Sequence, residues 1–249
     1  MLEWTDAGLV LSVRKFGEND AVVSFLTAEH GRYAGLCKGA FGKRNAGVLQ
    51  QGNLVGLRWK ARLEEHLGTV SAELSTAYAA RFLDEADRLT ALSCICAMSD
   101  LIPEREPVGD FFKKTLEQIA LLEFGGWPER YVRWETELLA LSGFGLDLSS
   151  CALTGTTRGL AYVSPKSGRA VCAEAGEPWK EKLLILPEFL TVSGKAPKDL
   201  EDLKNAFFLT GFFLENHLSK TLDCRIPAVR ARLIEAVSAT YGKTPSNNN

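Results

Sequence analysis

Leu54-Val55-Gly56-Leu57-Arg58-Trp59-Lys60-Ala61-Arg62 alternates apolar Val55, Leu57, Trp59 and Ala61 with basic Arg58, Lys60 and Arg62. Side chains on a β-strand point alternately to its two faces. The stretch therefore predicts a strand with Trp59 inside a core and a row of cations outside, a surface suited to a phosphate backbone. Those cations belong to a wider excess. Between residues 28 and 62 stand Arg32, Lys38, Lys43, Arg44, Arg58, Lys60 and Arg62, against the single acid Glu29. Such a patch attracts a polyanion even though the whole chain carries a net charge of only −2. The plainer alternative is a solvated strand face that happens to be basic.

Outward from that strand, Ala7–Arg14, Asp20–Thr27, Arg32–Lys38 and Leu67–Leu74 are also strand-length and rich in Val, Leu, aromatic residues or Thr. Turn clusters such as Phe16-Gly17-Glu18-Asn19 and Glu29-His30-Gly31 separate them. Short strands so closely spaced must curl to hide one face, which predicts a small barrel. The gap Gly39–Asn53 holds four glycines together with Lys43 and Arg44, and reads as a mobile, basic loop.

From Thr76 the apolar period becomes helical. One helix is expected through Phe82, Ala86 and Leu89 and the run Leu92–Met98, stopping at Pro103. A second carries Phe112, Leu116, Ile119 and Ala120 up to Gly125-Gly126, and a third follows Pro128 through Tyr131, Trp134, Leu138 and Leu141. Two more are expected over Lys198–Ser219 and Val229–Ala239. Ahead of them, Gly145–Glu177 is irregular, with a hairpin of Leu160–Val163 and Arg169–Cys172; Ser246–Asn249 is expected to be disordered.

A chain of 249 residues that is 46% hydrophobic can bury a substantial core. Its acidic start, Met1-Leu2-Glu3, has no basic leader, and no run approaches the roughly 18 apolar residues of a membrane span. Six scattered cysteines point to reduced thiols and a cytoplasmic location. Phosphate-binding glycine-lysine loops, nucleophile elbows and dinucleotide fingerprints are all missing. His66 follows Glu64-Glu65 without the second histidine of a zinc-protease helix, His217 lies on an apolar helix, and His30 sits in a turn. No catalytic residue and no cofactor is assigned, and the chain is not expected to be an enzyme. Cys151 and Cys172 stand where two zinc knuckles would begin, but Thr154 and Ala175 occupy the second-thiol positions, so no metal is assigned. Cys94 and Cys96 read as core filling.

The segments Gly8–Asp20 (GLVLSVRKFGEND), Phe25-Leu26-Thr27-x-x-His30-Gly31, Lys38-Gly39-Ala40 and Leu49-Gln50-Gln51-Gly52-Asn53 resemble the N-terminal domain of RecO, a family of bacterial recombination mediators. Arg133-Trp134-Glu135-x-Glu137-Leu138-Leu139-x-x-x-Gly143-Phe144-Gly145-x-Asp147-Leu148 is similar to that family's central helical motif, and Cys151–Cys172 sits where many members carry a four-cysteine zinc module. The resemblance implies an α+β architecture: an OB-fold barrel of five strands over residues 1–78 and a mostly helical domain over 79–249, with an irregular insert at 145–177 like a degenerate zinc module. It further implies binding of single- and double-stranded DNA, annealing of complementary strands, and a mediator role in double-strand-break and gap repair. With its partner RecR, such a protein helps RecA load onto strands coated by the single-stranded-DNA-binding protein, whose acidic C-terminal tail it also docks. It would then be cytoplasmic and nucleoid-associated, without a membrane partner.

For DNA, the candidate residues are Arg58, Lys60 and Arg62 on the strand and Lys38, Lys43 and Arg44 around the loop. Arg14 and Lys15 extend the patch, and Phe41 is the base-stacking candidate; Arg32 is a weaker one. For the partner tail they are Trp127, Arg130, Tyr131 and Arg133, two aromatics and two arginines on the third helix. The alternative there is a core helix whose arginines pair with Glu129, Glu135 or Glu137. Two other functional classes stay open: an RNA-binding OB-fold protein, and a metal-dependent enzyme, for which the missing knuckle thiols leave the least support.

Overall fold

A computed structural model describes residues 2–191 and 195–241, so the tail expected to be disordered lies outside the described residues. Five strands open the chain: β1 (Leu2–Phe16), β2 (Asp20–Thr27), β3 (Arg32–Cys37), β4 (Leu54–Ala61) and β5 (Thr69–Thr76). They form a closed barrel in the order β1-β2-β3-β5-β4. All neighbours are antiparallel except β3 and β5, which meet at the single parallel pair Leu36–Thr69.

Strand β4 alternates as its sequence requires. Val55, Leu57 and Trp59 are buried, whereas Gly56, Arg58 and Lys60 are exposed. The Trp59 indole fills the barrel against Trp4 and Tyr33, with ring centroids at 5.5 and 5.2 Å, and donates to the Leu67 carbonyl at 3.0 Å. Gly68 makes room for it, and Gly35 for its neighbour Val70. At Gly68, whose φ is +70°, a Cβ would lie 2.5 Å from the indole; at Gly35 it would lie 2.2 Å from Val70.

Strand β1 is longer than its sequence suggests. Glu3, Thr5 and Asp6 weaken the strand signal, but Leu2–Leu9 is ordered by pairing along β4. Beyond a bulge between Val10 and Ser12, β1 pairs with β2 alone up to Phe16. Leu9, Val10 and Leu11 are all buried. This breaks the alternation because helix α1 (Ala86–Ser99) packs on this strand and covers its outer face. Asp100, capping α1, accepts from Ser12 Oγ at 2.9 Å and Ser24 Oγ at 2.6 Å and pairs with Arg32 at 3.4 Å, which fixes the helix end to three strands.

The remaining longer helices are α2 (Phe111–Ala120), α3 (Trp127–Leu141), α4 (Leu200–Phe213) and α5 (Val229–Tyr241). Helix α4 continues through a π-turn at Leu214–Leu218, where His217 stacks on Phe213 at 5.2 Å and reaches the Pro165 carbonyl at 3.2 Å. Contacts group the chain into two compact units, Met1–Glu123 and Phe124–Asn249. The first unit holds the barrel together with α1, which is tied to it.

In the second unit α3, α4 and α5 share a buried polar knot. Glu135 accepts from Arg230 Nε at 2.7 Å, Arg230 Nη2 at 2.9 Å, Tyr131 Oη at 2.8 Å and Thr210 Oγ1 at 2.6 Å. An ion pair this deep is tolerable because each carboxylate oxygen is met by two donors. The hairpin expected within the irregular insert forms as β6 (Leu160–Val163) and β7 (Ala170–Cys172), and β8 (Leu184–Ile185) joins β6 on its other side.

A candidate nucleic-acid interface on the barrel

Between β3 and β5 the ladder is one pair long, and the strands diverge beyond it. A cleft of about 890 Å³ opens there, lined by the cations Lys38, Arg44, Arg58 and Lys60 and the carboxylates Asp6 and Glu73, over a floor that includes Thr5, Gly56, Thr69 and Ser71. The register explains this composition. Outward-facing residues run in rows across three strands, Glu3–Lys60–Thr69, Thr5–Arg58–Ser71 and Ala7–Gly56–Glu73. Arg58 stands between Thr5 and Ser71, and Lys60 between Glu3 and Thr69, so a shallow surface rather than a deep hole results. An adjoining hollow of about 510 Å³ shares Leu36, Lys60 and Thr69 and adds Arg62 and His66.

The segment Gly39–Asn53, expected to be a mobile loop, is a hydrogen-bonded plug. Gly39 N–H donates to Asp20 Oδ1 at 2.8 Å, and Asn45 Nδ2 donates to the Gly39 carbonyl at 3.1 Å. The Asn45 carbonyl accepts from Val48 and Leu49 at 3.0 and 2.9 Å. Asn53 Nδ2 donates to the Gly47 carbonyl at 3.0 Å, while buried Ala40 and Leu49 join the barrel core. Asparagine amides satisfy turn carbonyls that glycines alone would leave to water. Arg44 is thereby held against the cleft. Phe41 and Lys43 are exposed on the same turns but do not line it.

Among the described residues, no ion pair involves Arg14, Lys15, Lys38, Lys43, Arg44, Lys60 or Arg62, whereas Arg58 pairs with Glu3. Arg14 and Lys15 are exposed on the part of β1 past the bulge, opposite Val22 and Ala21, and are not brought to the cleft. Arg32 is occupied by Asp100 and by Glu104 at 3.2 Å. Sequence reading missed Thr5, Ser71 and Glu3, because the rows they occupy exist only through cross-strand register.

The residues expected to receive a partner tail on α3 are engaged within the second unit. Trp127 and Tyr131 are buried, and Tyr131 is committed to Glu135. Arg130 Nη2 donates to the Gly125 carbonyl at 2.9 Å, and Arg133 donates to the Phe189 carbonyl and lies over its ring at 5.7 Å. The partner of Glu135 is Arg230, far along the chain, rather than a neighbouring arginine of α3. The periodicity that made these aromatics conspicuous is that of a core-facing stripe.

At the zinc-like position, Cys151 and Cys172 do meet. Cys172 N–H donates to Cys151 Sγ at 3.3 Å, and Thr154 Oγ1 lies 3.7 Å from Cys172 Sγ. Burial pushes the Cys151 thiol up, but hydrogen bonds from the Thr154 hydroxyl and from the N–H groups of Cys172, Leu153 and Thr154 outweigh it and bring it down to about 6. Two thiols with a threonine hydroxyl do not fit a tetrahedral zinc, and no group of three or more possible ligands occurs among the described residues. The zinc-module character of the insert is therefore not supported. No described helix is long and apolar enough to cross a membrane.

By fold and site the chain is a two-unit α+β protein whose N-terminal barrel carries a basic cleft. The family model for the N-terminal part of recombination protein O matches residues 1–78, and that for its C-terminal part matches residues 83–225. A protein named DNA repair protein RecO from Rhodospirillum rubrum is 46% identical over 242 residues, covering 94% of this chain and 96% of the relative. Proteins of the same name from Rhodospirillum centenum and Bartonella tribocorum are 46% and 43% identical, covering 98% and 97% of this chain and 100% and 98% of theirs. The chain belongs to the RecO family.

Proposed function

We propose that the protein acts in DNA repair as a non-enzymatic, DNA-binding recombination mediator, with the barrel as an OB-fold platform for nucleic-acid strands. The observation that carries this reading is the convergence of Lys38, Arg44, Arg58 and Lys60 on one shallow cleft, three of them without an ion pair among the described residues. Annealing requires two polyanions to approach, so the protein must neutralise phosphates without holding either strand too firmly. Cations on a shallow surface meet that need, because they track a backbone without reading bases. Phe41, exposed two residues from Lys43, offers a ring on which a base could stack. Arg62 extends the path into the adjoining hollow.

In the finer reading, the protein binds single and double strands, anneals complements and, with RecR, promotes RecA loading on strands coated by the single-stranded-DNA-binding protein. Family membership supports this reading. The test is a titration of labelled single-stranded DNA at several salt concentrations with Arg44→Ala and Lys60→Ala. Both variants should bind more weakly irrespective of base sequence, and affinity should fall steeply with salt. A flat salt response, or preference for a matched RNA oligonucleotide, overturns the reading.

A further inference from the structure

Arg58 differs from its neighbours in the cleft. Its Nε donates to Glu3 Oε1 on the adjacent strand, where the register sets Glu3 directly opposite Lys60, the next cation of β4. Both members of the pair remain reachable by solvent, Arg58 being 57% and Glu3 33% exposed. Nothing buries or locks the pair. Its carboxylate oxygen occupies the guanidinium edge that a phosphate oxygen would otherwise take.

We infer that Glu3 restrains the strand grip of the basic cleft by competing, as a built-in anion, with nucleic-acid phosphate for Arg58. This rests on the DNA-binding reading above and adds to it a residue that sets affinity. An exposed pair of this kind is weak, so phosphate can displace the carboxylate, yet each displacement lowers the net gain from binding. The cleft is thus built to hold a strand loosely, as exchange between strands requires.

The test uses the full chain with Glu3→Gln, which keeps the side-chain shape, and a labelled oligothymidylate titrated over a salt series. Glu3→Gln should tighten binding about two- to fivefold at low salt. The slope of log affinity against log salt should steepen by about 0.7 for a single strand, as one more cation becomes available to phosphate. The gain should vanish when Arg58→Ala is present as well, and in the wild type Lys60→Ala should cost more affinity than Arg58→Ala. Unchanged binding by Glu3→Gln overturns the inference. So does an equal gain in the Arg58→Ala background, which would signify only a change in overall charge. In both cases a wild type that binds in a salt-dependent manner leaves the parent reading standing, whereas a wild type without such binding removes both.

Discussion

Trp59 and Arg58 are chain neighbours whose substitution should have opposite consequences. Trp59→Ala removes the largest side chain of the barrel core and should cost about 3–5 kcal/mol, read by denaturant unfolding. Phe41→Ala removes an exposed ring. It should leave stability within about 0.5 kcal/mol while weakening single-strand binding by about 1–3 kcal/mol, measured on the same oligonucleotide. Glu135→Ala strands Arg230 in the interior of the second unit and should cost about 3–5 kcal/mol. The lowered thiol of Cys151 has a pH signature. Because its folded value lies below the ordinary one of 9.0, its contribution is complete above that value and is lost as pH falls through about 6. Thermal stability should therefore rise across this window in the wild type, and the rise should flatten in Cys151→Ser. Trp59 and the β4 cations were legible from alternation. The commitments of Trp127, Tyr131, Arg130 and Arg133 were not, since a stripe of aromatics has the same spacing whether it meets a core or a partner.

At the scale of elements, the plug Gly39–Asn53 matters most to the site. Its glycines suggest mobility, but Asn45 and Asn53 bind its carbonyls, and Leu49 anchors it in the barrel. Asn53→Ala leaves the Gly47 and Val48 carbonyls and the Ala79 N–H without their side-chain partner, so about 1–3 kcal/mol of stability should be lost. Hydrogen exchange should then show opening concentrated between residues 39 and 53. The five strands themselves were readable, because local alternation and turn residues mark them. Strand β1 was underestimated at its start, where pairing along β4 rather than local propensity orders Glu3–Asp6.

For the molecule as a whole, a net charge of −2 gives no bulk attraction to nucleic acid, so any binding must come from a local array. If the three cleft cations outside an ion pair neutralise one phosphate each, the wild-type single-strand salt slope should be about −2. Changing Arg14 and Lys15 to Ala together should move affinity by less than about twofold, because neither lines the cleft. A large loss would instead place the strand along the outer end of β1 and β2.

The linear sequence settled the helical second half, the strands of the first, the buried side of β4 and the regional excess of cations. Each of these is written in short-range periodicity and composition. Folding decided which cations share a surface, that Glu3 stands among them, and that the conspicuous aromatics of α3 face inward onto a buried Glu135–Arg230 pair. Those facts depend on strand register and on contacts between residues far apart in the chain, and local patterning carries neither.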